Sequence, residues 1–146
     1  MSGFKIWQGA ALAAGMVMAG APAGADDLLG DPEAGKKVYR LCIACHSVED
    51  GKNRAGPHLH NLIGRKAGSI EGFRYSKPHK ESGIVWTKET LDPYLENPAE
   101  YIPGNRMMFA GVKDDRMRAD LIAYLASEEV SPDAPQEADG GESGGE

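Results

Sequence analysis

Apolar residues along this chain recur at helical spacing, and no stretch shows the strict alternation of a half-buried strand. After the Asp114-Asp115 pair, Met117, Leu121, Tyr124 and Leu125 form the stripe of an amphipathic helix, the strongest such pattern in the sequence. A second helix is predicted after Asp31, which can cap it. Pro32 suits the first helical position, Glu33 favours the positive end of the helix dipole, and Val38 and Leu41 supply an apolar face. Gly35 inside that helix costs about 1 kcal/mol relative to Ala, so another helix is expected to cross closely there, with the C-terminal helix as the candidate. A shorter helix is predicted within Thr87 to Glu96, stopping before Asn97-Pro98. Pro93 is tolerated in a first turn, which favours a start at Thr90. Between these elements the chain reads as loop, rich in Gly, Pro and charge. Loops so long in a small domain need something to pack on.

The two ends are set apart by composition. Residues 1–25 carry one charge, Lys5, then an apolar stretch from about Gly9 to Gly20, then Ala23-Gly24-Ala25 ahead of Asp26-Asp27. This is the layout of an export signal cleaved after Ala25. The alternative is an uncleaved anchor, since Ile6 to Ala23 is near the shortest span that crosses a bilayer. Residues 127–146 hold seven acids and no base or aromatic residue, a composition that predicts a disordered acidic tail. One domain is then expected over 26–126.

The 146 residues include 19 glycines, and only 7% are aromatic, so a core made of protein alone would be thin. A large apolar cofactor would fill it. The net charge of −6 conceals an uneven distribution: between Lys36 and Lys80 there are ten bases and three acids. Such a cationic section can steer the domain toward an acidic partner surface. The bases lack interleaved aromatics or a known motif for nucleic acid, and none is expected as a partner.

The two cysteines stand in Cys42-Ile43-Ala44-Cys45-His46, a C-x-x-C-H of the kind that attaches c-type haem. On a helical turn the two thiols face the same way and can each add to a porphyrin vinyl group, while His46 falls beneath the iron as an axial ligand. Other readings of the pentapeptide exist. A thioredoxin-like pair needs a strand before the first Cys, where the pattern here is helical. A zinc site needs further ligands, which no other Cys offers. A plain disulfide leaves His46 without a reason. A second axial ligand is sought in Pro103-Gly104-Asn105-Arg106-Met107-Met108-Phe109-Ala110-Gly111, although a Met is equally suited to filling a core.

Further landmarks are Gly56-Pro57, Gly64-Arg65-Lys66, Gly72-Phe73-Arg74-Tyr75, Trp86, Tyr94-Leu95-Glu96-Asn97-Pro98, Tyr101-Ile102-Pro103-Gly104 and Asp120-Leu121-Ile122-Ala123-Tyr124-Leu125. In this order, from Asp31 to Ser127, the chain resembles class I cytochrome c of the bacterial, mitochondrial-like branch. The resemblance implies an all-α cytochrome c fold, with three main helices and long loops wrapped around one covalent haem c. It implies His46 and Met107, not Met108, as the iron ligands, and Cys42 and Cys45 as the anchors. Pro57 would orient the His46 imidazole through its carbonyl. Arg65, Tyr75 and Trp86 would surround the haem propionates, Tyr94 would hydrogen-bond near the distal sulfur, and Phe109 would complete the cofactor-binding set. It also implies that Gly35 meets the C-terminal helix near Tyr124. Asn105 and Arg106 depart from the Thr and Lys usual in mitochondrial members. His58 and His79 each stand where relatives carry an Asn, the one at 79 often buried close to the haem; a histidine there could make the potential depend on pH, but a surface-turned side chain is the expectation for His79, as for His58 and His60.

The function so implied is that of a monohaem electron carrier rather than an enzyme. It would be exported to the periplasm of a Gram-negative bacterium and would act as a monomer that meets membranes only through its partners. Those partners are redox proteins with acidic docking surfaces: a quinol:cytochrome c oxidoreductase on one side, and a cytochrome oxidase, photosynthetic reaction centre or reductase on the other. Lys36, Lys37, Arg40, Lys52 and Arg106 form the expected docking set. The alternatives are a haem c enzyme or gas sensor with a labile sixth ligand, and a thiol-disulfide module.

Overall fold

Asp31 opens the first helix as the sequence predicts, its side chain accepting from Glu33 N at 2.9 Å. The computed structural model describes residues 30–127 and 129–133, so the candidate export signal and the acidic chain after Asp133 lie outside the described residues. Helix α1 spans Pro32–Val38 and tightens into a 3-10 turn over Tyr39–Leu41. Helix α2 spans Lys77–Glu81, α3 Lys88–Glu96, α4 Pro98–Tyr101 and α5 Asp115–Leu125. Among the described residues the only extended pairing is an isolated antiparallel bridge between Lys66 and Val85, so the fold is all-α.

The frame is the crossing of α1 and α5. A Cβ on Gly35 would overlap the carbonyl oxygen of Asp120 and stand 2.8 Å from Tyr124 Cβ, so only a residue without a side chain lets the helices approach this closely. The crossing predicted for Gly35 is therefore present. Around it, Asp31 N donates to Asp120 Oδ1 at 2.8 Å, and the Tyr39 and Tyr124 rings lie 5.5 Å apart. Leu121, Tyr124 and Leu125 are buried on α5, each removing apolar surface worth about 2 kcal/mol from water. Met117, expected on that stripe, is 42% exposed, and the inward place nearby is taken by Arg118. The Arg118 guanidinium donates to Asp92 Oδ1 at 2.6 Å, Asp115 Oδ1 at 2.9 Å and Val112 O at 3.0 Å, tying α5 to α3.

Helix α3 starts at Lys88 rather than Thr90. Thr87 caps it and forms a reciprocal pair with Thr90, whose N donates to Thr87 Oγ1 at 3.3 Å while Thr90 Oγ1 accepts from Thr87 N at 2.8 Å. Pro93 thus falls inside the helix. Proline removes one donor there, and the fixed first turn together with the buried Leu91, Tyr94 and Leu95 carries the helix past it. The short helices α2 and α4, both beginning next to a proline, occupy stretches that carry no apolar period.

The expectation of disorder from residue 127 onward does not hold for the first part of that stretch. Val130 is wholly buried and Ser131 nearly so. Ser131 Oγ donates to Leu125 O at 2.8 Å, Asn61 N donates to Val130 O at 2.7 Å, Asn61 Nδ2 donates to Asp133 Oδ2 at 2.8 Å, and Asp133 N donates to Asn61 Oδ1 at 3.1 Å. One apolar residue among acids suffices, because the bonded loop closes over it.

Candidate functional site

All ten residues expected to bind a cofactor line one cavity of about 730 Å³ between the 42–66 segment, α3 and the 106–109 loop. The turn after Leu41 carries the first of them. His46 N and Cys45 N both donate to Cys42 O, at 2.9 and 3.0 Å, which folds the pentapeptide into a single helical turn. Cys42 and Cys45 are not joined to each other, and burial raises the Cys42 thiol to about 11, keeping it protonated. Among the described residues no three His, Cys, Asp or Glu side chains come together in a metal-holding group, so the zinc reading finds no partners there.

His46 is held from behind. Its Nδ1 lies 2.7 Å from Pro57 O, so that nitrogen carries the proton and donates, and Nε2 keeps its lone pair. Gly56 makes room for the ring: a Cβ there would stand 2.5 Å from His46 Cε1. Burial lowers the proton affinity of His46 below that of a free imidazole, the bond to Pro57 opposes this, and the charge of Arg65 adds to it. A neutral, oriented imidazole is the form that ligates iron.

Met107 enters the cavity from the other chain segment. Its N donates to Asn105 Oδ1 at 2.8 Å, and Asn105 Nδ2 donates in turn to Pro98 O at 2.5 Å and Ile102 O at 2.9 Å. The amide at 105 therefore pins the loop to α4 through both its donor and its acceptor. Tyr94 Oη donates to Met107 Sδ at 3.2 Å, and burial raises that phenol to about 12, so it stays a donor. Met108, its neighbour, is 98% exposed and makes no such approach. Phe109 N bonds Met107 O at 3.0 Å and its ring packs against the core.

The third wall is aromatic and basic. Arg65 donates to His60 O at 2.6 Å and His58 O at 2.8 Å, folding the 57–65 loop around its guanidinium. Trp86 packs on Tyr94 with centroids 4.7 Å apart. Charged lining consists of Arg65, Lys66, Arg74 and Arg106, with no carboxylate. An apolar cleft lined by cations, with an imidazole and a thioether in it, fits a haem: His46 and Met107 would hold its iron, and the cations would offset its two carboxylates.

Two histidines are not where the sequence places them. His79 is not surface-turned. It lines the cavity, stacked on Tyr75 (5.1 Å, planes 15° apart) and flanked by Trp86 at 5.9 Å and Tyr94 at 6.3 Å. Tyr75 forms the outer layer, its own phenol raised by burial. His58 is likewise buried, and its Nδ1 has no hydrogen-bond partner among the described residues. Local sequence offers no signal for either, since each is polar and sits in a stretch without period. Arg118, outside the cavity, escapes notice for the same reason.

A helical shell closed around a haem-shaped cleft, with C-x-x-C-H on one wall and a Met loop on another, defines a class I cytochrome c. The family model for cytochrome c matches residues 32–129. A cytochrome c type-1 of Ascaris suum is 51% identical over 104 residues, covering 70% of this chain and 93% of its own length. Cytochrome c2 of Blastochloris viridis is 48% identical over 106 residues, covering 72% and 80%, and cytochrome c2 of Afifella marina is 54% identical over 96, covering 63% and 77%. The chain belongs to the cytochrome c family, whose members carry covalent haem c and transfer electrons.

Proposed function

We propose that this protein is a periplasmic monohaem carrier that shuttles single electrons between a membrane quinol-oxidising complex and a terminal acceptor, being exported with cleavage after Ala25. The observation that carries this reading is the facing of His46 and Met107 into one cavity whose charged lining is cationic alone. Cys42 and Cys45 would hold the haem by thioether bonds, and His46 Nε2 and Met107 Sδ would ligate the iron. When bound, the haem supplies a centre that alternates between ferric and ferrous states.

The chain's own residues supply the rest. Pro57 fixes the imidazole tautomer through the 2.7 Å bond to Nδ1, so that ligation needs no proton transfer. Asn105 and Tyr94 hold Met107 from its backbone and its sulfur, so that little moves when charge changes. Arg65, Lys66, Arg74 and Arg106, which line the cavity, would offset the charge of a bound haem's carboxylates. With thioether as the second ligand, the potential is raised relative to a bis-imidazole site.

For docking, the expected set divides. Lys36 pairs with Glu129 and Lys52 with Glu49, both at 2.8 Å and about half exposed. Lys37, Arg40 and Arg106 are exposed and meet an acidic partner directly. Exposed ion pairs are weak, so Lys36 and Lys52 remain available to a stronger competitor. An absorption spectrum of protein matured in a haem-attaching host tests the reading. The expected result is a low-spin haem that the reduced protein does not surrender to carbon monoxide. Colourless protein with unmodified thiols, or ready carbon monoxide binding, overturns it.

A further inference from the structure

A half-buried imidazole on the wall of the cavity needs a role that packing alone does not give. His79 is held between Tyr75 and the edges of Trp86 and Tyr94, and its ring nitrogens make no hydrogen bond to any described protein group. Whatever polar contact they make is therefore with solvent or with the cofactor.

We propose that His79 is a proton-binding site coupled to the iron: its imidazole takes up a proton from solvent as the haem takes up its electron, and releases it on oxidation. This rests on the cavity being the haem site. The step balances simply. The electron comes from the redox partner and reduces ferric iron to ferrous, the proton comes from water, and no bond to carbon changes.

The surroundings leave His79 as the responsive group. Facing it are the phenols of Tyr75 and Tyr94, and the cavity it lines also holds the His46 imidazole, engaged by Pro57, and the cations Arg65, Lys66, Arg74 and Arg106. Phenols, ammonium and guanidinium groups do not ordinarily change charge across about pH 5 to 8, where an imidazole titrates. No carboxylate lines the cavity, so no protein anion locks the imidazolium in place. Reduction removes one positive charge from the iron centre, and in a desolvated cleft the repulsion that disappears is poorly screened. Burial lowers the proton affinity of His79 in the resting fold.

The test is a potentiometric titration of the holoprotein from about pH 5 to 8, beside His79→Asn and His58→Asn, with the imidazole protons of His79 followed by NMR in both oxidation states. Wild type is expected to show a potential that falls as pH rises, by up to a tenfold change in the electron equilibrium per pH unit, or 59 mV for one electron. The slope should vanish in His79→Asn and persist in His58→Asn, and the NMR titration should lie higher in the ferrous protein. A flat wild-type profile, a slope that survives His79→Asn, or identical titrations in the two states overturns the proposal. A low-spin haem spectrum in all three proteins shows that the carrier reading stands whatever His79 does, whereas absence of haem defeats that reading first.

Discussion

Tyr94 Oη donates to Met107 Sδ across 3.2 Å, joining the buried face of α3 to the loop that presents the sulfur. The bond withdraws electron density from the thioether and so favours the ferrous state. In Tyr94→Phe the potential should fall, by at most about 40 mV, since such a bond is worth about 1 kcal/mol and 59 mV corresponds to 1.4 kcal/mol for one electron. Redox titration of the holoprotein checks the sign. A rise would mean that the hydroxyl does not act on the sulfur.

Met107 and Met108 are neighbours with opposite surroundings, one half-buried in the cavity and the other 98% exposed. Met107→Ala should produce a high-spin ferric spectrum and rapid carbon monoxide binding when reduced, while Met108→Ala should leave the spectrum unchanged. The reverse pattern would place the ligand one residue later.

At the crossing of α1 and α5, Gly35→Ala forces a methyl group onto the Asp120 carbonyl. The helices must part, at about 1–3 kcal/mol or more for overpacking. Since about 1 kcal/mol shifts the midpoint by roughly 4–8 °C in a domain of this size, thermal unfolding should begin well below that of the parent. An unchanged midpoint would show that the crossing yields at no cost.

The segment after α5 behaves as part of the domain. Val130→Ala should destabilise the domain toward urea by about 1–2 kcal/mol, because the side chain is wholly buried in the core and its segment is bonded to the loop at Asn61 and Ile63. No change would mean that the segment is bound too loosely to contribute.

Tyr39 and Tyr94 both have their phenols raised to about 12, in each case chiefly by burial. The folded state therefore disfavours ionisation relative to the unfolded chain, whose phenols titrate near 10. The associated stability is complete below pH 10 and is lost as the pH climbs from there toward 12. Denaturant midpoints should fall across that interval, and the tyrosinate absorbance of Tyr39 and Tyr94 should appear late. If all five ionise together near pH 10 while the protein stays folded, the burial assigned to these rings is wrong.

What the sequence discloses and what it hides follow from how far each signal reaches. The C-x-x-C-H turn, the Asp31 cap and the Leu121–Tyr124–Leu125 stripe are local patterns, and each appears where expected. Gly35 is legible because a glycine inside a helix has an energetic cost that only a close neighbour explains. His79, His58 and Arg118 are polar residues in stretches whose pattern does not announce burial, and the Asp92 that binds Arg118 is 26 positions before it. Pro93 misleads about the start of α3 because the reciprocal Thr87–Thr90 bonds compensate for it from outside the turn it disturbs. Val130 is hidden by the acids around it.

Four fixed positive charges converge on a cleft that contains no negative side chain. Arg65 is bonded to the carbonyls of His58 and His60 and the other three reach solvent, but no carboxylate of the cavity offsets their charge. The two carboxylates of the prosthetic group would act as internal counter-ions, so that closing the shell and acquiring the pigment become one thermodynamic event, and a chain that misses attachment would be the natural substrate of a protease.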